Sequence, residues 1–224
     1  MSNDFFRQYL DLLVELEQNN ELVKETDHTD EIEFSDSDSF DEVIEKIQKD
    51  ERNRLGTGAN RQAFHHPFDK RLVIKVAACR EDKKARTHEE CAMRNAWEYL
   101  VWYITNANDM PEKEHLMPCV DIHPDGEWLT MFKGARVHKD KKVDIKGKML
   151  WVGDRSKDNY RVLDDKTYAV DYGTTKAAEY LNIPTEVEPV MRMLKKVLKK
   201  QGKPVNDPDY GKSTPHPDPL VDKQ

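Results

Sequence analysis

Residues 72 to 77 read Leu-Val-Ile-Lys-Val-Ala, an apolar run with one lysine inside it. The run has the length and the β-branched content of a buried strand. An ammonium there is shielded from water, and a buried charge persists only when something of opposite sign is brought to it. A chain carrying this run must therefore deliver a carboxylate or an anionic ligand to Lys75, unless the side chain reaches solvent along a strand edge. The candidate carboxylate is Glu98, in Ala96-Trp97-Glu98-Tyr99-Leu100-Val101-Trp102, where a charge would face packed neighbours unless paired. Glu90, two turns earlier, competes with it.

The chain around this strand divides by pattern. Phe5, Phe6, Tyr9, Leu12, Leu13 and Leu16 recur at helical spacing, so residues 4 to about 24 are expected to form an amphipathic helix. Asp27 to Ser39 is dense in acids and serines and reads as a solvated linker. Ser39 and Glu42 make a capping box for a helix from Phe40 to about Lys49, with Phe40, Val43, Ile44 and Ile47 as its apolar stripe. Strands are expected at 54–64 and 71–78, joined by His65-His66-Pro67-Phe68-Asp69-Lys70, then a long helix from Arg86 to Asn106.

Met117–Ile122 and Trp128–Phe132 read as strands about the turn His123-Pro124-Asp125-Gly126, followed by a Lys-rich stretch to Lys148. Short strands are expected at Met149–Val152, Tyr160–Leu163 and Thr167–Val170, and a helix at Glu186–Lys200. The expected division is an N-terminal helical extension with its acidic linker over 1–50, a sheet-bearing unit over 51–135, a smaller unit over 136–201 and a disordered Pro-rich tail over 202–224.

Composition excludes several classes. The 224 residues carry a formal charge of -7, which gives no general nucleic-acid-binding surface. The apolar stretch Phe5–Leu16 is broken by Arg7, Gln8, Asp11 and Glu15, so it is neither a signal-peptide core nor a membrane span. Cys79, Cys91 and Cys119 lie far apart without a C-x-x-C pair, which predicts neither a zinc knuckle nor a disulfide framework and points to a reducing cytoplasm. Tyr210-Gly211-Lys212-Ser213-Thr214 ends like a Walker A loop, but Asn206 replaces its first glycine.

The residues with chemical potential fall in a fixed order. Gly56 and Gly58, in Leu55-Gly56-Thr57-Gly58-Ala59-Asn60-Arg61, allow a backbone to close over phosphate oxygens, or simply to turn a hairpin. Lys75 and Glu98 follow. Asp154 and Asn159, in Gly153-Asp154-Arg155-Ser156-Lys157-Asp158-Asn159, set an acid and an amide five positions apart before a strand, and Asp171 in Asp171-Tyr172-Gly173 stands at a strand end. Carboxylate and amide oxygens of this kind accept a hydroxyl proton or ligate Mg²⁺.

In this order the chain resembles the protein-kinase-like fold family, and within it the compact kinase-like proteins of phages and archaeal viruses. Gly56 and Gly58 match the glycine-rich loop, Val73-Ile74-Lys75 the V-A-I-K strand, Asp154 to Asn159 the D-x-x-x-x-N loop and Asp171-Tyr172-Gly173 the D-F-G triplet. The resemblance covers residues 52 to 176 and implies an α+β, two-lobed fold with an antiparallel N-lobe sheet and an abbreviated C-lobe. It implies ATP and Mg²⁺ as cofactors: Gly56, Gly58 and Lys75 on the phosphates, Glu98 orienting Lys75, Asn159 and Asp171 on Mg²⁺, and Asp154 with Lys75 as catalytic residues.

The implied activity is a minimal phosphotransferase acting on a protein or small-molecule hydroxyl in the cytoplasm, that of the host if the protein is viral. The alternative is a nucleotide-binding pseudokinase or interaction module. Departures are plain: Arg61 replaces the third glycine, Val152-Gly153 stands where kinases carry His-Arg, and no A-P-E follows Asp171.

Overall fold

The computed structural model describes residues 32–35, 38–79, 86–137, 156–203 and 205. The expected helix over 4–24, the strand Met149–Val152 and Asp154 lie outside the described residues, as do most of the Lys-rich stretch and of the tail.

The run around Lys75 is strand β3, Leu72–Ala77, and every residue of it is buried. It is the middle strand of a five-stranded antiparallel sheet of order β1-β2-β3-β5-β4, made with β1 Arg54–Thr57, β2 Arg61–His65, β4 Cys119–Ile122 and β5 Trp128–Phe132. The expected strand 54–64 is two strands, because Gly58-Ala59-Asn60 turns the chain and the Gly58 amide donates to the Arg61 carbonyl at 2.8 Å.

Side chains alternate across a strand, so β3 faces two ways. Ile74 and Val76 share one face with Phe64 and Trp128. This face is covered by α1, Phe40–Lys49, whose Phe40, Val43, Ile44 and Ile47 are all buried on it. The capping box at Ser39 and Glu42 starts that helix as the sequence requires.

The opposite face carries Val73, Lys75 and Ala77, with Leu129 and Met131 paired from β5. Against it lies α2, His88–Ala107, which is capped by Thr87 with Glu90 in a second capping box. A second antiparallel sheet, β6-β7-β8, is built from Ala135–Arg136, Tyr160–Leu163 and Lys166–Ala169. Its tight turn holds Asp164 and Asp165 at φ 49 and 58, a conformation that acidic side chains tolerate. Helices α3, Thr175–Tyr180, and α4, Val187–Lys200, complete the described chain.

The architecture is thus α+β with an antiparallel principal sheet. One core runs without a break from Val73 and Met131 through Leu100 to Tyr160, Ala169, Leu194 and Leu198. The expected division at 135/136 falls within β6, just after the chain has left the principal sheet at Phe132. Packing also passes the expected start of the tail: Lys203 ion-pairs with Asp121 and Val205 is 7% exposed. Helix α3 and the 3-10 turn Pro111–His115 have no counterpart in the sequence expectations; both are too short to show a periodic stripe.

The cysteines require a correction. Cys79 and Cys91 are disulfide-bonded, with their Cα atoms 6.0 Å apart. Sequence spacing concealed this because the two meet only when α2 folds back over the end of β3. The bond fixes the start of α2 to the strand that carries Lys75. Cys119 is free and buried. Reduction, or Cys79→Ser, is expected to lower the unfolding free energy by about 2–4 kcal/mol, the usual effect of opening such a loop. Urea titration checks this, and an unchanged midpoint would show that the sulfurs are not joined in solution.

Candidate functional site

The sheet register decides which side chains can meet. Ala63 lies directly opposite Lys75, and Arg61 opposite Ala77, so Arg61 and Lys75 project from the same face of neighbouring strands. Below them α2 presents Asn95 and Glu98, three residues apart and therefore on one side of the helix. Both are completely buried.

Lys75 Nζ donates to both Glu98 oxygens, at 2.9 and 3.1 Å, and to the Val170 carbonyl. Arg61 forks between two acids, donating one Nη to Glu98 Oε2 and the other to Asp171 Oδ1. The first Nη also donates to Asn95 Oδ1 at 3.3 Å. Asn95 in turn donates its amide to the Lys75 carbonyl at 3.2 Å and the Gly126 carbonyl at 2.9 Å, which pins α2 to β3 and to the β4–β5 turn.

Two cations and two carboxylates form a cluster with no formal net charge, the condition under which buried ions are tolerated. Burial pushes the Lys75 ammonium below its ordinary value; Glu98 pulls the other way, and the Arg61 charge adds to the depression. Burial also disfavours the Arg61 charge, but Glu98 and Asp171 overcome it and hold the guanidinium above its ordinary value. For Asp171, burial acts upward and the Arg61 and Lys75 charges outweigh it, so the carboxyl sits below the usual range.

The segment bearing Asp171 is held closely. Tyr172 is fully buried, and its hydroxyl donates to the Met117 carbonyl at 2.6 Å beside Cys119 Sγ at 3.1 Å. A Cβ at Gly173 would lie 2.5 Å from the Arg94 carbonyl oxygen and 2.9 Å from the Glu98 amide nitrogen. Only glycine lets the chain after Asp171 approach the α2 backbone so closely.

Lys75 also stands in the wall of a cleft of about 130 Å³. Leu55, Ala63, Val73, Met131 and Val170 give it apolar sides, and residues 132–134 run along it as the chain leaves β5. Lys133, Arg136 and Arg161 also line it, so the lining carries four cations and no carboxylate among the described residues.

Of the residues selected by sequence, the fold brings together Lys75, Glu98 and Asp171. Gly56 lines the cleft, while Gly58 serves the β1–β2 turn. Asn159 closes a 3-10 turn, Lys157–Asn159, and its backbone carbonyl accepts from the Val170 amide at 2.9 Å, one residue from Asp171. Asp154 lies outside the described residues. Glu90 is settled as a helix cap and not as the partner of Lys75.

Two members of the cluster were not expected from sequence. Asn95 is found by counting one turn back from Glu98. In the sequence Arg61 shows only as a departure from a glycine pattern.

The donor set does not fit a resident Mg²⁺ as it stands. One oxygen of Asp171 is taken by Arg61, whose positive charge repels a second cation at the same carboxylate. Among the described residues no group of three or more His, Cys, Asp or Glu side chains is arranged to hold a metal. Among them, too, no helix is long and apolar enough to cross a membrane. Comparison with protein families, curated proteins and solved structures finds no match for this chain.

The close approach at Gly173 generates a test. Gly173→Ala is expected to lower stability by about 1–3 kcal/mol, as overpacking does. It should also separate Asp171 from Arg61, visible as faster exchange of the Arg61 guanidinium protons in NMR spectra. A variant of unchanged stability and exchange would show that the approach is looser than described.

Proposed function

We propose that the cleft binds ATP and that the chain is a minimal phosphotransferase of the protein-kinase-like fold, passing the γ-phosphate to a hydroxyl of a protein or small molecule. One observation carries the reading: a cleft with apolar sides and four lining cations, Lys75, Lys133, Arg136 and Arg161, in a chain that is acidic overall. Apolar walls suit a purine face and cations suit phosphates. The strand order β1-β2-β3-β5-β4 with a helix after β3, and the Lys75–Glu98 pair, support the same reading.

Each residue then has a definite task. Glu98 and the Val170 carbonyl hold the Lys75 ammonium in one place, so the cation is positioned before phosphate arrives and no ordering is needed at that moment. Gly56 lets the β1 backbone approach the phosphates. Asp154 would accept the acceptor's hydroxyl proton, the role its motif implies. A cytoplasmic location goes with an ATP-using protein, and there the Cys79–Cys91 bond would meet a reducing thiol pool.

A second reading, a nucleotide-binding pseudokinase serving as an interaction module, is favoured by the contact of Arg61 with Asp171. Incubation with γ-labelled ATP, alone and with candidate hydroxyl acceptors, separates the two. For a phosphotransferase, Asp154→Asn is expected to lower kcat by about 10²–10⁴-fold with ATP affinity nearly intact. Lys75→Met should weaken binding as well. ATP binding without transfer in the parent chain and in Asp154→Asn alike would establish the pseudokinase; no binding at all would refute both.

A further inference from the structure

We propose that Arg61 is a built-in cation of this site, competing with divalent metal ions for the Asp171 carboxylate, so that the resting site excludes metal until Arg61 is displaced. The inference uses the reading of the cleft as a nucleotide site only for its consequence; the competition itself concerns two residues of this chain and a metal ion.

The geometry leaves Arg61 little freedom. Its side chain is 12% exposed and its two terminal nitrogens are divided between Glu98 and Asp171. A planar guanidinium spans two carboxylates through two separate nitrogens, a wider and more rigid fork than the single nitrogen of an ammonium. Glu98 is fully buried and shared with Lys75, so it anchors one side of the fork. Asp171 retains 48% of its side-chain exposure and is the partner that solvent or a solute can reach. Release of Arg61 would therefore take place at Asp171, with the Glu98 contact retained as a pivot.

The charge count leads the same way. Lys75, Arg61, Glu98 and Asp171 balance without any further ion. A divalent cation at Asp171 would leave the cluster with two surplus positive charges unless Arg61 moved away or a polyphosphate arrived with the metal. Metal alone should consequently bind poorly, and metal with nucleotide should bind only as Arg61 leaves Asp171. The groups acting on Arg61 include Glu98, Asn95 and Arg94 on α2, Lys75 on β3 and Asp171 after β8, and the other carboxylate among them, Glu98, is already shared with Lys75.

The test uses the full chain and Mn²⁺ alone as probe, read by paramagnetic broadening of the backbone amide signals of Asp171, Tyr172 and Gly173. In the parent protein these signals should stay sharp at Mn²⁺ concentrations that broaden them in Arg61→Gln. The expected gain in Mn²⁺ affinity is at least about tenfold, the factor equivalent to ~1.4 kcal/mol. Adding Asp171→Asn to Arg61→Gln should abolish the broadening.

Equal broadening in parent and Arg61→Gln proteins, or none in either, would overturn the proposal. If Arg61→Gln fails to fold, Arg61→Lys takes its place, because a shorter side chain ending in one nitrogen spans less distance than the two Nη atoms that reach Glu98 and Asp171 separately. It should bind Mn²⁺ more tightly than the parent, and no gain in the folded variant would again overturn the proposal. ATP titration of the same proteins is scored separately. Failure of ATP to bind in parent and variants alike would refute the nucleotide reading while leaving the Mn²⁺ result to stand or fall by itself.

Discussion

An ammonium in the central strand of a sheet is a demand that the rest of the fold must meet. Lys75 is 9% exposed and lies within a strand that is buried throughout, so the chain must supply negative charge at that point or lose the strand. It supplies Glu98 from α2, and α2 must then lie against this face of the sheet and at one rotation about its own axis. Asn95 holds the same rotation through carbonyl groups of β3 and the β4–β5 turn. The Cys79–Cys91 bond secures the helix start. A helix fixed at one end by a covalent link and in the middle by buried polar contacts has little room to rotate, and the position of Glu98 is a consequence of that.

The same cluster sets what the site can bind. Glu98 alone would satisfy Lys75, and Asp171 would then be an uncommitted carboxylate beside it. Arg61 changes this by crossing from β2 to join both acids. The lining of the cleft also carries Lys133, Arg136 and Arg161. Under the nucleotide reading, an apolar ring system and a chain of negative charges would meet this mixture of apolar walls and cations. The contact between Arg61 and Asp171 occupies the carboxylate that transfer chemistry would need under the proposed reading, and this is why binding and catalysis separate as questions for this chain.

Much of the scaffold was legible in the sequence. The capping box at Ser39 and Glu42 gave the bounds of α1, and the runs Trp128–Phe132 and Tyr160–Leu163 are strands as expected. Lys75 with Glu98 followed from one rule, that a charge within an apolar segment needs a partner. The second capping box, Thr87 with Glu90, commits Glu90 to the helix start and leaves Glu98 for Lys75. Arg61 and the disulfide were not legible for a different reason. Each depends on register or on the return of α2 across β3, and neither spacing along the chain nor residue type encodes that geometry locally. An arginine that breaks a glycine pattern looks like a loss until the strand pairing places it opposite Ala77, beside Lys75.

Amide hydrogen exchange of the full chain with and without ATP tests the nucleotide reading most directly, because it localises the ligand without presuming catalysis. Slowed exchange confined to residues 55–63, 131–134 and 170–173 is the expected result, since these segments line the cleft or hold Asp171. Protection found instead on α4, where Arg192, Lys195, Lys196, Lys199 and Lys200 form an alternative cationic surface, or no protection anywhere, would contradict it.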